Sequence, residues 1–432
     1  MIKLRKLRIM TSGRVVKGVD WVLLLVVASQ LIAGTLFVYS ASEGYTHKVF
    51  GDSLHVFHQH VIQVLLSLLI GLITYRFLPL PLLKKNAHWL LMFSMILLAI
   101  PLVPGVGQAI NGAYRGLSVG AIVIYVMPIA TLFFVFFISR FLAECLGQER
   151  VSTPLDLKLL TIVAVVFLLS ALQPDMVGAS MLVTLVVLMC FVVRRYRIAI
   201  FLMATFAMLN VGFMLSQPYL LQRLASYLDP FADRFSSGYQ LATSLIVISG
   251  GGLFGVGYGE GVVKSQLPGA HDGFIFSVLI EETGVAGGGV VLVLSAIIFA
   301  RCFMIAQRLL INEQLFEGLL VMGLALWMAL SAIIQGCSSL GLLPTIQVAY
   351  PLISYGGTYL LLFVMSLSII LKIGAGLPNR DLDGQLIFRS PIFVGIVALF
   401  SVITLQAVST AMFNPSLDSK YESLSQSLGN PP

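Results

Sequence analysis

Residues 175–193 read DMVGASMLVTLVVLMCFVV, a single carboxylate followed by an unbroken apolar run. A bilayer core about 30 Å thick is crossed by about 20 apolar residues in a helix, so this stretch is the length and composition of a membrane span. Runs of the same kind recur at 21–40, 61–77, 87–104, 121–139, 157–173, 197–216, 274–300, 317–340 and 350–373, and again at 391–411. Of the 432 residues 58% are hydrophobic and 10% charged, against roughly 25% charged in an ordinary soluble domain. The expected fold is therefore all-α, a polytopic membrane helical bundle of about ten spans. The apolar stretch 391–411 is long enough to be an eleventh and would leave a polar tail on the far side.

Charge sets the expected orientation. The segment 1–20 carries Lys3, Arg5, Lys6, Arg8, Arg14 and Lys17. The same side of the bundle would hold Lys84, Lys85, Arg140, Arg150, Arg194, Arg195, Arg197, Arg301, Arg308, Arg380 and Arg389. Basic residues favour the cytoplasmic side of short loops, which places the N-terminus in the cytoplasm. The net charge of +7 is explained by this asymmetry, and no nucleic-acid partner is needed. The first span follows a basic stretch with no small-residue cleavage site and reads as a retained helix. Cys145, Cys190, Cys302 and Cys337 lie in or beside apolar runs without CxxC spacing, the pattern of packing residues. His55, His58 and His60 form HxxHxH, but no carboxylate or cysteine completes a metal set.

The chain divides into the basic segment 1–20, a transmembrane domain 21–374, and a linker with the additional apolar stretch and tail over 375–432. Most connections are short. The exception is the stretch 217–273, expected to be one long extracytoplasmic loop, and connections of that length are usually functional. It is rich in glycine and carries Glu260, Lys264, His271 and Asp272. A second glycine-rich connection, VPGVGQAINGAYRGLS at 103–118, carries Arg115.

Within the long stretch, residues 239–288 read YQLATSLIVISGGGLFGVGYGEGVVKSQLPGAHDGFIFSVLIEETGVAGG. This resembles the signature region of the SEDS family (shape, elongation, division and sporulation). LLPTIQVAYPLISYGG at 342–357, Gln173-Pro174-Asp175 between two spans, and the opening DWVLL with YSAS at 39–42 resemble further family blocks in the same order. GYGEGVVK followed by LPGAH is closer to the FtsW branch, particularly its alphaproteobacterial members, than to the RodA branch. The resemblance implies a ten-helix fold and polymerisation of lipid II, the undecaprenyl-pyrophosphate-linked disaccharide peptide, into glycan strands during septal wall synthesis. It also implies a class B penicillin-binding protein and other divisome membrane proteins as partners.

Such a transfer needs an outward cavity, a carboxylate to orient or deprotonate the acceptor hydroxyl, and cations to meet the departing pyrophosphate. Asp272 is the candidate catalytic residue. Arg115, Lys264, His271 and Glu260 are the candidates for binding substrate, and a divalent cation could assist although no ligand set demonstrates one. The glycines of 251–261 either admit a bulky ligand or form a turn cluster without one, and Asp272 also suits the N-cap of the helix that follows. Glu281 and Glu282, placed inside a span, require pairing or a cavity. Gln173 and Asp175 fit a structural turn, and Ser354, Tyr355, Gly356 and Gly357 fit close helix packing.

Three departures from the family pattern stand out. An ungapped match puts Gly273, one residue beyond Asp272, where the family's His-Thr-Asp-Phe motif has its aspartate. Tyr125-Val126-Met127-Pro128 replaces the family's QPSE, and Thr131 replaces a lysine. Two rival functions therefore stand beside the enzyme: a catalytically weakened member acting as a divisome scaffold, and a lipid II transporter.

Overall fold

The computed structural model describes residues 18–377, apart from 111–112, 120–121, 148–152, 174, 217 and 234–235, together with 415–429. The apolar stretch 391–411 lies outside the described residues. Helices α1 (Trp21–Phe50) and α2 (His55–Phe77) form a hairpin, followed by the short α3 (Leu80–Lys85) and by α4 (Ala87–Ala99). After a small antiparallel sheet, β1 (Gly107–Ile110), β2 (Ala113–Val119) and β3 (Ile122–Tyr125), come α5 (Val126–Gly147), α6 (Thr153–Leu172), α7 (Met176–Val192) and α8 (Tyr196–Ser216). Helices α9 (Pro218–Leu228) and α10 (Tyr239–Gly251) precede the long α11 (Ile275–Ile311), α12 (Leu315–Ser339) and α13 (Gly357–Gly374). The last described element is α14 (Pro415–Gly429).

Eight of the described helices are long and apolar enough to cross a membrane, and two shorter apolar ones, Ala87–Leu102 and Met176–Val192, join them. This is a multi-pass membrane bundle. Helix α12 is its centre, with Leu319, Leu320, Val321, Leu324, Ala325 and Ala332 all fully buried. Helix α8 is at the rim and turns Ile200, Phe201, Met203, Met208 and Leu215 outward, apolar surface that only lipid or another apolar partner can cover. At one end of the bundle the Arg301 guanidinium makes two 2.9 Å bonds to Asp20, and Lys372 Nζ bonds Leu78 O at 2.8 Å. The sheet, α9, α10 and the long connection lie at the other end.

The expected single outer loop at 217–273 has more structure than its glycine content predicted. Helix α10 is packed into the bundle, with Ile246, Val247 and Ile248 buried. The glycine-rich segment after it pairs with α11 at a break in that helix, where Gly284 has φ +69°. A broken helix exposes backbone groups that hydrocarbon cannot satisfy. Here Val256 N–H donates to Glu281 O at 2.9 Å and Gly257 N–H to Glu282 O at 3.1 Å. In return Val285 N–H donates to Gly252 O at 3.0 Å and Ala286 N–H to Leu253 O at 3.1 Å. A Cβ at Gly251 would collide with Ile280 O, and one at Gly255, whose φ is +80°, with Glu282 O. These glycines are required by the contact of one backbone with another. Tyr258 reaches across to donate to Leu36 O at 2.8 Å, well inside α1, so the segment dips toward the level of the membrane.

The three-stranded sheet was not foreseen from an all-α reading, and β3 occupies the start of the run assigned to a span at 121–139. Its strands are four to seven residues long, too short to stand out from the apolar run that they precede.

Candidate functional site

Two charged clusters lie at the end of the bundle that carries the long connection. The first is built on α11, the 3₁₀ turn Val263–Gln266 and α1. Glu281 and Glu282 project from α11 and are buried, as is Lys264. Lys264 is ion-paired with Glu282 and also donates to Ser40 at 2.6 Å and to Gly259 O at 3.2 Å; Ser40 in turn donates to Glu282. Glu281 Oε1 accepts the Val263 N–H at 3.1 Å and the Tyr421 hydroxyl of α14 at 3.2 Å. A buried carboxylate is tolerated when paired and hydrogen-bonded, and this network supplies both. Lys264 is thus committed to Glu282, an arrangement that differs from the phosphate contact expected of it. Glu260 is exposed on the same loop.

The second cluster lies where α2, the sheet, the 267–274 turn and the start of α13 come together. Arg115, on β2, is only partly exposed, and its Nε lies 3.2 Å from Asp175 Oδ1. Asp175 caps α7 by accepting Gly178 N–H at 3.2 Å. Gln173, buried beside it, donates to Leu98 O and accepts Tyr114 N–H at its carbonyl at 3.1 Å. The QPD turn therefore anchors the strand that holds Arg115. Asp272 is half-buried, with its carboxylate over the Gly273 N–H. Tyr125 senses both charges: burial and then the Asp272 carboxylate raise its phenol above the ordinary range, with the Arg115 guanidinium opposing.

The turn carrying Asp272 is held from three sides. Ser354 Oγ donates to Asp272 O at 2.8 Å, Tyr355 N–H to His271 O at 2.8 Å, and Gln335 Nε2 to Gly273 O at 3.0 Å. The ring of His271 is stacked on Tyr45 and edge-on to Tyr355, at 5.6 and 5.4 Å between centroids. Burial holds its imidazole below the ordinary value, against the pull of Asp272. The Tyr355 hydroxyl donates to Gln59 Oε1 at 2.9 Å. Gly357 brings α13 onto α2, since a Cβ there would be 2.9 Å from Gln63 Cδ; Gly356 is its N-cap. These hydroxyl, amide and imidazole groups form a polar wall with one carboxylate and one guanidinium, suited to a sugar carrying phosphate.

Asp272 does not cap α11, whose N-cap is Phe274, without a side-chain bond. Gly273 has no room for a side chain: a Cβ there would be 2.9 Å from Gln347 Cγ and 3.3 Å from Gln347 Cα. Gln347 thus occupies the space an aspartate at position 273 would need. Sequence reasoning passed over Gln347 and Tyr125, though Tyr125 was noted as a departure from the family motif. Thr131, another departure, is buried and returns its hydroxyl to Met127 O at 2.8 Å. Among the described residues no group of three or more His, Cys, Asp or Glu side chains could hold a metal ion.

Fold and site together define a multi-pass helical membrane protein with a polar cluster at one end, on the turn after a membrane-dipping loop. The sequence profile of the cell cycle protein family FtsW/RodA/SpoVE matches residues 20–377, and the chain belongs to that family. A probable peptidoglycan glycosyltransferase FtsW of Coxiella burnetii is 35% identical over 349 residues, covering 80% of this chain and 93% of the relative. Its counterpart in Thioalkalivibrio sulfidiphilus is 34% identical, covering 83% and 90%. A chain from a solved peptidoglycan synthase complex, described as coordinating polymerization and crosslinking, superposes with a TM-score of 0.66 at 27% identity over 83% of this chain and 98% of its own. The rod shape determining protein RodA of Thermus thermophilus superposes at 0.60 with 23% identity, covering 84% and 99%, a likeness of fold.

Proposed function

We propose that this chain is a peptidoglycan glycosyltransferase of the FtsW type, polymerising lipid II into glycan strands on the outer face of the bacterial inner membrane during cell division. Kinship with relatives named for that activity supports the reading. The observation that carries it in this chain is the Asp272 turn, held by Ser354, Tyr355 and Gln335 with the His271 ring between Tyr45 and Tyr355. In the reaction a sugar hydroxyl of the acceptor attacks the anomeric carbon of the donor, the C–O bond to the lipid pyrophosphate breaks, and the hydroxyl proton leaves to a base. Asp272 is the group that accepts or orients that proton. Arg115 offsets charge on the departing pyrophosphate, and the rings of His271, Tyr45 and Tyr355 flank the sugar. A divalent cation at the pyrophosphate would take its ligands mainly from substrate.

A class B penicillin-binding protein is the proposed partner, in keeping with the synthase complex that this fold resembles. The N-terminus is cytoplasmic and the 217–273 connection outside, on the charge asymmetry. The deciding experiment is glycan-strand formation from labelled lipid II by the purified protein with that partner; strands formed equally well by an Asp272→Ala chain would defeat the assignment. Orientation is read separately. An impermeant thiol reagent should label Ser236→Cys and leave Arg150→Cys untouched in intact cells, over a low background because the four native cysteines are buried.

A further inference from the structure

Helix α14 is distant in sequence from the Asp272 turn yet bonded to its support. Leu417 is buried, and Lys420 Nζ lies 3.7 Å from the ring centroid of Phe231, a cation–π contact. The Tyr421 ring lies against Gly250 of α10, where a Cβ would overlap it. Its hydroxyl donates to Glu281 Oε1 at 3.2 Å, the same oxygen that accepts Val263 N–H. Burial and then the Glu281 carboxylate raise that phenol, so it stays a donor at neutral pH.

From Val263 the support is continuous. Leu267 N–H donates to Lys264 O at 3.0 Å, Ala270 N–H to Leu267 O at 3.2 Å, and Asp272 N–H to Gly269 O at 3.2 Å. Glu281 also closes over Gly261, with Oε2 2.8 Å from where a Cβ would be. The other oxygen of each carboxylate, Glu281 Oε2 and Glu282 Oε2, has no hydrogen-bond partner among the described residues. Glu281 therefore depends on the two donors at Oε1, and one of them comes from α14.

We propose that α14 is a strap, and that Tyr421 is a positioning residue which fixes Glu281 and, through it, the 259–272 segment bearing Asp272. The proposal rests on the glycosyltransferase reading of the Asp272 turn. It carries a topological corollary. Leu377 follows α13 at the end of the bundle marked by Lys372 and Leu78, whereas α14 packs on α10 and the 3₁₀ turn at the opposite end. Helix α14 therefore lies on the same side as the long connection.

Two variants test the strap in the full chain with its partner. Tyr421→Phe keeps the ring against Gly250 and removes the donor; Gly250→Ala keeps the donor and levers the ring away. Each should lower kcat for lipid II polymerisation roughly threefold to tenfold with KM nearly unchanged, the signature of a misplaced reacting group. Amide hydrogen exchange, which needs no activity, should accelerate across 259–272 in both. Unchanged exchange there, with turnover per folded molecule unchanged, overturns the strap even if thermal stability falls. Accelerated exchange in a chain that makes no strands at all supports the strap and sinks the enzyme reading instead. A C-terminal reporter active only in the cytoplasm overturns the corollary and the strap with it.

Discussion

The two charged clusters contain similar chemistry, carboxylates facing a cation and flanked by hydroxyls, and the structure gives them different surroundings. Around Lys264 the ions are buried and tied to one another; around Arg115 and Asp272 they are partly open and only loosely shared. Residue type alone did not separate them. Accessibility does: Lys264 and Glu282 are closed off together, whereas Arg115, although paired with the buried Asp175, keeps 19% of its side chain open to a ligand.

The largest effect that would sharpen this contrast is expected at Lys264. Lys264→Met leaves Glu282 buried without its cation and should cost about 3–5 kcal/mol, seen as loss of folded protein in membranes and a lower melting temperature in detergent. Adding Glu282→Gln should recover much of the abundance; a stable, inactive Lys264→Met chain would instead make the lysine a substrate ligand. Next comes Asp272→Ala, expected to reduce polymerisation roughly 100-fold while stability changes by less than about 1 kcal/mol. Gly273→Asp alone should lower folded yield with no gain in activity, because Gln347 fills the space. Combined with Gln347→Gly, folded yield should return, and turnover surviving Asp272→Ala in that background would mark position 273 as a working alternative. Arg115→Ala should lower turnover roughly tenfold, with Arg115→Lys between it and the parent.

The smallest effect concerns His271. Its imidazole is held below the ordinary value of 6.5, so the unfolded chain binds more protons as pH falls through that value, and stability is lost in that direction. Melting temperature in detergent should drop between about pH 7 and pH 5, and His271→Gln should flatten part of that slope. An unaltered slope would place the titrating group elsewhere.

The bundle was legible because lipid imposes a length and a composition that few other structures share: α1, α2, α5 and α12 fall close to the apolar runs. The QPD segment was legible as a turn between spans, but that Asp175 caps the helix after it appears only in the structure. The sheet was hidden because short strands beside a span look like part of it. The fate of Lys264 was hidden because Glu282 is 18 residues away along the chain and meets it only after the glycine-rich segment folds back. Gln347 was hidden because its meaning lies in the volume it removes beside Gly273.

The break at Gly284 gives α11 a mechanical character that a continuous helix would lack. The upper piece, Ile275–Thr283, is joined to the rest of its span by one non-helical residue and is otherwise fastened to the 252–257 backbone. Both pieces pack into the one apolar core around α12, but the upper piece shares its backbone hydrogen bonds with the glycine-rich segment. If opening of the glycine-rich segment frees those bonds, native-state exchange should show a step in protection at Gly284 within this single span.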